Sequence, residues 1–288
     1  MSNRKFDYLS YLSLVVGICC LLYPFISNQL NKISLSKVVV QQQEAVEQVA
    51  RSDSSVIEEE KSKANSYNKM LKSSMNVVTD PFDPNRKYIT YKDYDSILNV
   101  AGDSVMGSLI IPKISVELPI YHGVSDDVLT KGIGHINNTS LPIGGVSTHC
   151  VLTGHTGLPA VKILDNLDDM DIGDIFLIKV LDETHAYKVY DIEEVLPNEN
   201  SSLVIKEDED LCTLVTCTPY GVNTRRLLVH GRRCDVPDRY KSKDVSFTNG
   251  LPSYLTQQAN HVLPFSILGI LLGISLIVIV KKVNKKHE

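Results

Sequence analysis

Two apolar runs, one near each end of the chain, most constrain what these 288 residues can fold into. The first covers residues 9–26 with the sequence LSYLSLVVGICCLLYPFI, and the second covers residues 262–280 with VLPFSILGILLGISLIVIV. Each is close to the roughly 20 apolar residues that cross a bilayer as a helix. We therefore expect the globular part of the chain to lie between two membrane spans.

Basic residues beside these runs predict the orientation of the chain. Lysines cluster directly after the second run, and such flanks remain in the cytoplasm. Because two spans return the chain to the same side, we expect both termini in the cytoplasm and the intervening domain on the extracellular face. A cleaved signal peptide is the alternative for the first run. Its apolar stretch is long for such a peptide, and no small-x-small cleavage site clearly follows it.

Charge and cysteine spacing exclude several classes of function. The formal net charge is −5, and both apolar ends are net basic, so the acidic excess lies between them. An acidic ectodomain argues against nucleic-acid binding. The six cysteines include no C-x-x-C pair, and no His/Cys cluster has the spacing of a zinc site. We expect free thiols, no metal and no cofactor.

Composition divides the chain into seven segments. They are a membrane anchor (1–26), a helical segment (27–76), a loop and connector (77–103), a β-rich domain (104–235), a linker (236–261), a second span (262–280) and a basic tail (281–288). Ser55 and Glu58 fit a capping box that would open a second helix in the helical segment. Seven short apolar runs predict strands at 107–112, 116–120, 150–153, 174–180, 186–192, 211–217 and 227–231. Together with short helices such as 160–167, they predict a β-barrel or a sandwich.

One strand carries the strongest sign of chemistry. The sequence TLVTC ends in Cys217, a Pro-Tyr-Gly turn follows, and the next strand begins near Arg226. A thiol nucleophile and a cation that binds a developing oxyanion could meet across that turn. The alternative is that Cys217 is a core cysteine, as Cys212 could also be. Arg225 and Arg226 face opposite sides of a strand, and periodicity does not choose between them.

A histidine could serve as the proton partner of the thiol. His155 lies between two glycines in TGHTG, where backbone can approach a substrate closely. From the sequence alone, His122, His135 and His149 are comparable candidates. A histidine that precedes the cysteine disfavours a papain-like peptidase, in which the cysteine comes first.

Three stretches carry a family resemblance: TLVTCTPYGVNTRRLLVHGRR, VLTGHTGLP and SLPIGGVSTHCVLTGH. They resemble the sortases of Gram-positive bacteria, and specifically the pilin-polymerising class C. The resemblance covers about residues 105–235 and extends to the N-terminal helices, the Asp-Pro-Phe loop and the second span. It implies a closed β-barrel of about eight strands with short helices, flanked by two transmembrane helices.

The resemblance also implies residue roles. The family's catalytic cysteine, histidine and arginine fall on Cys217, His155 and Arg226, although the family commonly has His-Arg where this chain has Arg225-Arg226. A lid with an Asp-Pro-aromatic motif covers the site in class C, and here the motif falls on Asp80, Pro81 and Phe82. In that class the Asp engages the arginine and the aromatic ring lies over the cysteine.

The activity that the resemblance implies is transpeptidation. Pilin subunits with an LPxTG-like sorting signal would be cleaved between Thr and Gly through a thioester and joined to a lysine amine of the next pilin. The expected partners are therefore pilins and the lipid bilayer. Three alternatives remain: a sortase of another class that uses a cell-wall precursor amine, a thiol hydrolase, and a non-catalytic surface protein.

Overall fold

The first helix, α1 (Ser2–Ser52), runs unbroken from the apolar run into the polar segment that follows it. The computed structural model describes residues 2–72, 78–83, 91–158 and 161–241. Within α1, the stretch Ser13–Ser52 is long and apolar enough to cross a membrane, and its apolar window is not buried against the protein. The expected second span, the basic tail and the linker beyond residue 241 lie outside the described residues.

The second helix, α2 (Ser54–Lys72), packs against α1 and supports the β-domain. Its expected capping box at Ser55 is wrong. The helix begins one residue earlier, and a carboxylate oxygen of Asp53 accepts a hydrogen bond from the Ser55 amide at 3.0 Å. Asp53 therefore caps the helix by satisfying an amide that has no partner within the helix.

Eight strands in the described part of the chain form a closed barrel. They are β1 (Val105–Ile111), β2 (Val116–His122), β3 (Ile133–His135), β4 (Thr148–Thr153), β5 (Ile175–Val180), β6 (Glu183–Val195), β7 (Asp210–Thr218) and β8 (Arg225–Cys234). Their order around the barrel is β1-β2-β3-β4-β7-β8-β6-β5, and β5 pairs with β1 to close it. A short helix, α3 (Asp126–Lys131), joins β2 to β3. The expectation of a closed eight-stranded barrel with short helices is confirmed.

The strand directions bring three chain segments to one end of the barrel. β4 and β7 are parallel, so their carboxyl ends lie together, and β8 is antiparallel to β7, so it begins there. We call this the Cys217 end of the barrel. It is where the functional residues expected from the sequence converge.

Large apolar side chains fill the barrel. The rings of Phe176 and Tyr187 stack with centroids 5.6 Å apart, and both are fully buried. Gly231 makes room for them, because a Cβ on this residue would lie 2.5 Å from the Phe176 ring. Burying one such aromatic side chain stabilises the fold by about 1.5–3 kcal/mol.

The strands predicted from apolar runs all coincide with observed strands, but one strand and one helix are misjudged. β3 was not predicted, since its three residues, Ile-Gly-His, are too few to show an alternating pattern. The helix expected at 160–167 is wrong, because residues 161–162 are irregular, residues 163–166 form a bend and a turn, and only a short 3-10 helix, Leu167–Asp169, follows. There the Asp165 carboxylate binds backbone amides, which competes with helix formation.

The chain divides into two units, Met1–Pro237 and Asp238–Glu288. The first contains α1, α2 and the barrel. In the second, the described residues 238–241 include one turn of 3-10 helix, Asp238–Tyr240.

Candidate active site

Cys217 and Arg226 are directly opposite each other on neighbouring antiparallel strands. Side chains of such a cross-strand pair lie on the same face of the sheet, with Cβ atoms about 4.5–5.5 Å apart. Both side chains are buried, with 8% of Cys217 and 7% of Arg226 exposed. A thiol and a permanently charged guanidinium therefore share one protected position at the Cys217 end.

The strand register also distinguishes the two consecutive arginines. Arg225 is opposite Thr218 and is exposed, whereas Arg226 is opposite Cys217 and is buried. Adjacent residues of a strand face opposite sides. Only Arg226 is therefore placed to act together with the thiol.

His155 reaches the same end through the parallel pairing of β4 with β7. Thr153 is the register partner of Val215, so continuing this register by two residues brings His155 level with Cys217. Two hydrogen bonds extend the pairing beyond the end of β4: the Gly154 amide donates to the Val215 carbonyl at 3.2 Å, and the Thr216 hydroxyl donates to the Gly154 carbonyl at 2.8 Å. The histidine is thus the first residue beyond a firmly held strand.

The segment that follows His155 is closed by Asp165. One carboxylate oxygen of Asp165 accepts from the Gly157 amide at 3.2 Å, and the other accepts from the Ile163 amide at 3.1 Å. The Leu164 amide donates to the His155 carbonyl at 3.0 Å. We call residues 155–165 the histidine loop; its described residues, 155–158 and 161–165, return to their start and hold the position of His155.

Gly154 precedes His155 for a reason of packing. A Cβ at this position would lie 2.7 Å from the Ile163 side chain, too close for any other residue without a shift. The sequence pattern suggested instead that the glycine admits substrate backbone. The observed contact shows that Gly154 lets the histidine loop fold onto the end of β4.

The other candidate histidines are buried and bonded to core partners. His122 bonds to the Ser104 and Ile97 carbonyls, and His149 bonds to the Val204 carbonyl and the Thr213 hydroxyl. His135 bonds to the Tyr94 hydroxyl at 2.7 Å and to the Ser140 carbonyl at 2.9 Å. These rings stabilise the interior, whereas His155 is only half-buried at the Cys217 end.

Asp80 binds Arg226 through two hydrogen bonds. Arg226 Nε donates to Oδ1 at 2.8 Å, and Nη2 donates to Oδ2 at 2.7 Å. Arg226 Nη1 donates to the carbonyls of Asn223 and Arg225 at 3.1 and 3.0 Å. Since a guanidinium has five N–H donors, four of them are engaged in this arrangement.

Phe82 covers the site beside that ion pair. Its ring centroid is 5.4 Å from the His155 ring, and the guanidinium carbon of Arg226 is 5.0 Å from the same centroid. The aromatic ring thus contacts two of the three residues expected to be catalytic. A cation over an aromatic face adds about 0.5–2 kcal/mol of attraction.

The segment that contains Asp80 and Phe82 is fixed to the barrel at Val78. The Val78 side chain is buried in an apolar cluster with Val151, Val215 and Leu203. Its carbonyl accepts a hydrogen bond from the Asn200 side-chain amide, in the connection between β6 and β7. Residues 78–83, which we call the cover segment, are therefore held by an ion pair, an aromatic contact, a buried valine and an amide.

The covered thiol is a weak acid. Burial raises the pKa of Cys217 from 9.0 to about 11, the Arg226 charge opposes this rise, and the Asp80 charge adds to it. Thiolate is the nucleophilic form of cysteine. With the cover segment in place, the thiol is therefore neutral at physiological pH.

Comparison with known proteins places this barrel in a family. The family model of the sortase domain matches residues 109–234. The crystal structure of sortase C-1 from Actinomyces oris is 45% identical, with a TM-score of 0.58 over 62% of this chain and 99% of that one. This chain is a class C sortase.

Two further relatives support membership of the sortase family, and the first of them is also a sortase C. Sortase C of Streptococcus pneumoniae is 40% identical, with a TM-score of 0.62 over 69% of this chain and 97% of that one. Sortase D of Bacillus subtilis (strain 168) is 27% identical over 130 residues, which span 44% of this chain and 63% of that protein. The resemblance that the sequence motifs indicated is confirmed.

Several residues at the site of this sortase were not predicted from the sequence. Asp165 holds the histidine loop, Thr216 holds Gly154 just before that loop, Asn223 engages Arg226, and Asn200 holds the cover segment. Each acts through a polar bond between distant segments or within an irregular loop. A single sequence carries no periodic signal for such contacts.

The remaining cysteines of the barrel differ from Cys217 in burial and position. Cys150 and Cys212 are register partners on β4 and β7, and both are buried. Cys234 is half-exposed at the end of β8. All six cysteines of the chain are free thiols in the structure.

Proposed function

We propose that this sortase is a cysteine transpeptidase that assembles pili. It would cleave an LPxTG-like sorting signal between Thr and Gly and join the released carbonyl to a lysine amine of the next pilin. The observation that carries the proposal is the cross-strand pair of Cys217 and Arg226 with His155 level with it. The solved pneumococcal relative is described as informing pilin substrate specificity, which supports the same substrate class.

In the first step, the Cys217 thiolate attacks the threonine carbonyl carbon and forms a C–S bond. Arg226 donates hydrogen bonds to the oxygen that becomes negative, which is the role suited to a fixed cation with several donors. The C–N bond then breaks, and protonated His155 gives its proton to the departing glycine amine. The product is a thioester between Cys217 and threonine.

In the second step, the lysine amine attacks the thioester carbonyl. Neutral His155 takes the proton that the amine loses, and the C–S bond breaks to release the thiolate. One amide has then been exchanged for another, and no oxidant or cofactor is consumed. Water in place of the amine would give hydrolysis, which makes the competing nucleophile decisive for the outcome.

The cover segment would act as a lid over this chemistry. Asp80 occupies the Arg226 donors that the oxyanion requires, and Phe82 contacts His155. Substrate can therefore bind productively only after residues 78–83 move away. If the open form is a minor state, opening costs on the order of a few kcal/mol.

Membrane anchoring fits the same function. We propose that α1 crosses the bilayer, that a second span follows the barrel, and that the catalytic domain faces outward with both termini in the cytoplasm. The apolar stretch within α1 supports the first of these spans. An enzyme held at the outer surface is placed to meet a sorting signal that is itself held in the membrane.

A peptide assay with the full-length protein in detergent tests the nucleophile. The Asp80→Ala variant, in which the cover segment is released, should form an acyl-enzyme that mass spectrometry assigns to Cys217. Adding Cys217→Ala should abolish both the adduct and the turnover, and Cys212→Ala serves as the matched control. Turnover that survives Cys217→Ala would refute the assignment.

The choice of acceptor separates this function from its alternatives. We expect the cleaved peptide to be joined to a pilin lysine when a pilin domain is supplied. Transfer only to a cell-wall precursor amine would indicate another class of sortase activity, and release of free acid with every amine would indicate a hydrolase. Absence of any peptide adduct on Cys217 in the Asp80→Ala variant would indicate a non-catalytic role.

A further inference from the structure

Four hydrogen bonds in series link residues 196–209, which we call the β6–β7 connection, to strand β6. His149 on β4 contacts the Val204 carbonyl through Nδ1 at 2.9 Å and the Thr213 hydroxyl through Nε2 at 2.7 Å. The Thr213 oxygen lies 2.8 Å from His230 Nδ1, and His230 Nε2 lies 3.0 Å from Glu193 Oε1. We call the side chains of His149, Thr213, His230 and Glu193 the clasp. The first three are buried, and the proposed reaction makes no use of them.

The clasp needs more hydrogens than its neutral side chains supply. Each of the four contacts requires one hydrogen between its two heavy atoms, because two facing lone pairs repel. A neutral imidazole supplies one hydrogen and a hydroxyl supplies one, whereas a carbonyl and a carboxylate supply none. His149, Thr213 and His230 therefore supply three hydrogens to four contacts when both rings are neutral. A fully bonded clasp holds one additional proton.

Burial and charge place that proton on His230. Burial lowers the pKa of His149 from 6.5 to about 4, so this ring is neutral. Burial acts to raise the pKa of Glu193, but hydrogen bonds to its carboxylate lower it overall, so this group is ionised. His149 uses its one hydrogen at the Val204 carbonyl and accepts from Thr213, which in turn accepts from His230. The His230 ring then donates from both nitrogens, to Thr213 and to Glu193.

Three elements bring other titratable groups to the clasp: Tyr190 and Asp191 on β6, Arg232 on β8, and Lys206 and Glu209 in the β6–β7 connection. The Lys206 charge lowers the pKa of His149, and the Glu209 charge raises it. Arg232 donates to Glu209 at 2.9 Å and lies over the Tyr190 ring. Charges of both signs therefore surround the clasp, and its own four hydrogen bonds decide where its hydrogens lie.

Loss of the additional proton would be felt at Val204, at the far end of the clasp. Three hydrogens then remain, and the contact to the charged Glu193 retains its hydrogen because charge-assisted hydrogen bonds are about twice as strong as neutral ones. His230 donates there, the Thr213 hydroxyl turns to donate to His230 Nδ1, and His149 donates to Thr213 through Nε2. His149 Nδ1 is left without a hydrogen, and its lone pair faces the Val204 carbonyl.

The β6–β7 connection is joined to the cover segment beside Val204. Leu203 and Val78 belong to one buried apolar cluster. The Asn200 side-chain amide donates to the Val78 carbonyl. A change in the attachment of Val204 therefore reaches the cover segment through the adjacent residue of the connection.

We propose that the clasp is a proton-dependent attachment for the cover segment. With the additional proton, His149 holds Val204, and the β6–β7 connection keeps Val78 in place. Without this proton, Val204 is released, the cover segment opens more often, and Cys217 becomes more accessible. The inference rests on the proposed role of the cover segment as a lid, and it adds positioning residues that the transpeptidase reaction does not require.

The position of Glu193 gives the proton a route to solvent. About a third of its side chain is exposed, at 35%, whereas His230 is buried. Ser202 of the β6–β7 connection also hydrogen-bonds to Glu193, so this end stays attached in both states. Because the clasp exists only in the folded chain, folding takes up the proton. The stability that the clasp provides is therefore present at low pH and is lost as rising pH removes the proton.

Glu193→Gln tests the hydrogen count. A glutamine amide supplies the fourth hydrogen covalently by donating to His230 Nε2, while its oxygen still accepts from Ser202. All four contacts are then satisfied with both rings neutral, so we expect the cover segment to stay attached as pH rises. Glu194→Gln removes the same charge from the exposed neighbouring residue and is the matched control.

Nitrogen NMR of the histidine rings, in the full-length protein in detergent, detects the proton itself. The His230 signals are identified by their absence from the spectrum of His230→Gln. At about pH 7.5, where an unperturbed imidazole is mostly neutral, we expect two N–H groups on His230 in the wild type and in Glu194→Gln, but one in Glu193→Gln. A single N–H group on His230 in the wild type would overturn the proposal, whether or not the variants fold.

Iodoacetamide labelling of Cys217, located by mass spectrometry, measures the effect on the cover segment. Rates are compared at equal pH, so the ionisation of the thiol cancels. The ratio of the wild-type rate to the Glu193→Gln rate should be near one at about pH 7 and rise about fivefold by about pH 9, as expected for the loss of one hydrogen bond. The ratio of the wild-type rate to the Glu194→Gln rate should stay near one. A ratio for Glu193→Gln that does not change with pH would overturn the proposal.

Asp80→Ala separates this inference from the lid on which it builds. If Asp80→Ala speeds the labelling of Cys217 but the Glu193→Gln ratio is constant, the lid stands and the clasp alone is refuted. If Asp80→Ala leaves the labelling unchanged, the lid is refuted, and the role of the clasp in holding it is refuted as well. Formation of the acyl-enzyme on Cys217 reports the catalytic function independently of both.

Discussion

The central residue-scale feature is the coupling of one thiol to one ion pair. Cys217 is opposite Arg226, and Arg226 is bound by Asp80. Burial and the Asp80 charge keep the pKa of Cys217 near 11, while the Arg226 charge opposes them. Changes at Asp80 should therefore be measurable at the sulfur.

The first prediction concerns pH. A pKa of about 11 in place of 9.0 lowers the thiolate fraction at pH 8 about 100-fold, and the fraction rises as pH increases. Asp80→Asn removes the nearby negative charge and weakens the pair, so we expect faster iodoacetamide labelling at pH 8 and a midpoint shifted to lower pH. Asp95→Asn, at an exposed carboxylate, should leave the rate unchanged. An identical pH profile for Asp80→Asn would contradict the assigned coupling.

The second prediction compares the two arginines. Arg226→Lys keeps a positive charge but loses the planar fork, and loss of an oxyanion donor costs about 100-fold or more in kcat. Arg225→Lys, at the exposed neighbour, should change kcat by less than about twofold. Steady-state transpeptidation assays measure both. Comparable losses in the two variants would mean that Arg226 has no special role.

Sequence motifs identified these residues, but alternation along a strand did not choose between the arginines. The choice depends on which side of β8 faces Cys217. The register between β7 and β8 fixes that side, and the register depends on the conformation of the connection at residues 219–224. The same limit applies to the histidines. His122, His135 and His149 are distinguished from His155 by hydrogen-bond partners that are distant in sequence or in irregular segments. The catalytic roles of Cys217, His155 and Arg226 stay predictions that the proposed assays test.

At the scale of elements, the histidine loop shows how a short irregular segment is held. Its closure depends on Asp165, which binds the Gly157 and Ile163 amides. The sequence predicted a helix here because AVKILDNL has apolar residues at helical spacing. The prediction failed because a side-chain carboxylate offers those amides a competing partner. β3 was missed for a different reason, since its pairing with β2 and β4 is long-range and its own sequence is short.

The third prediction tests the loop. Asp165→Ala should lower kcat about tenfold with little change in KM, since a misplaced general acid impairs chemistry more than binding. Asp165→Asn keeps one acceptor oxygen and should recover part of the loss. The exposed Asp168→Ala is the control and should behave like wild type. A change confined to KM would argue against a role in positioning His155.

At the scale of the whole molecule, helix α2 ties the N-terminal segment to the barrel. The Asn68 side chain accepts from the Leu141 amide at 2.7 Å and donates to the Leu141 carbonyl at 3.3 Å, and Asn68 is buried. The Leu98 amide donates to Glu60 at 2.7 Å in the same interface. Composition predicted helices in this region, but it did not indicate which of their polar residues face the protein.

The fourth prediction measures this attachment. Asn68→Ala removes both bonds and leaves buried backbone groups of Leu141 without partners, so the free energy of unfolding should fall by about 1–3 kcal/mol. Urea unfolding of the full-length protein in detergent, followed by circular dichroism, gives this value. Ser66→Ala alters an exposed position on the same helix and should change the value by less than about 0.5 kcal/mol. Equal stability of Asn68→Ala and wild type would show that α2 does not support the barrel.

The shared dependence of thiol and guanidinium on Asp80 has a consequence for fidelity. Because the Asp80 carboxylate binds Arg226 and adds to the burial that raises the pKa of Cys217, removal of the cover segment would favour the thiolate and release the Arg226 donors together. An exposed Cys217 thiol beside an Arg226 that was still bound to Asp80 would be open to electrophiles and oxidants, yet it could not complete the exchange. If residues 78–83 act as the proposed lid, their opening would prepare both groups in one step and so avoid such an intermediate.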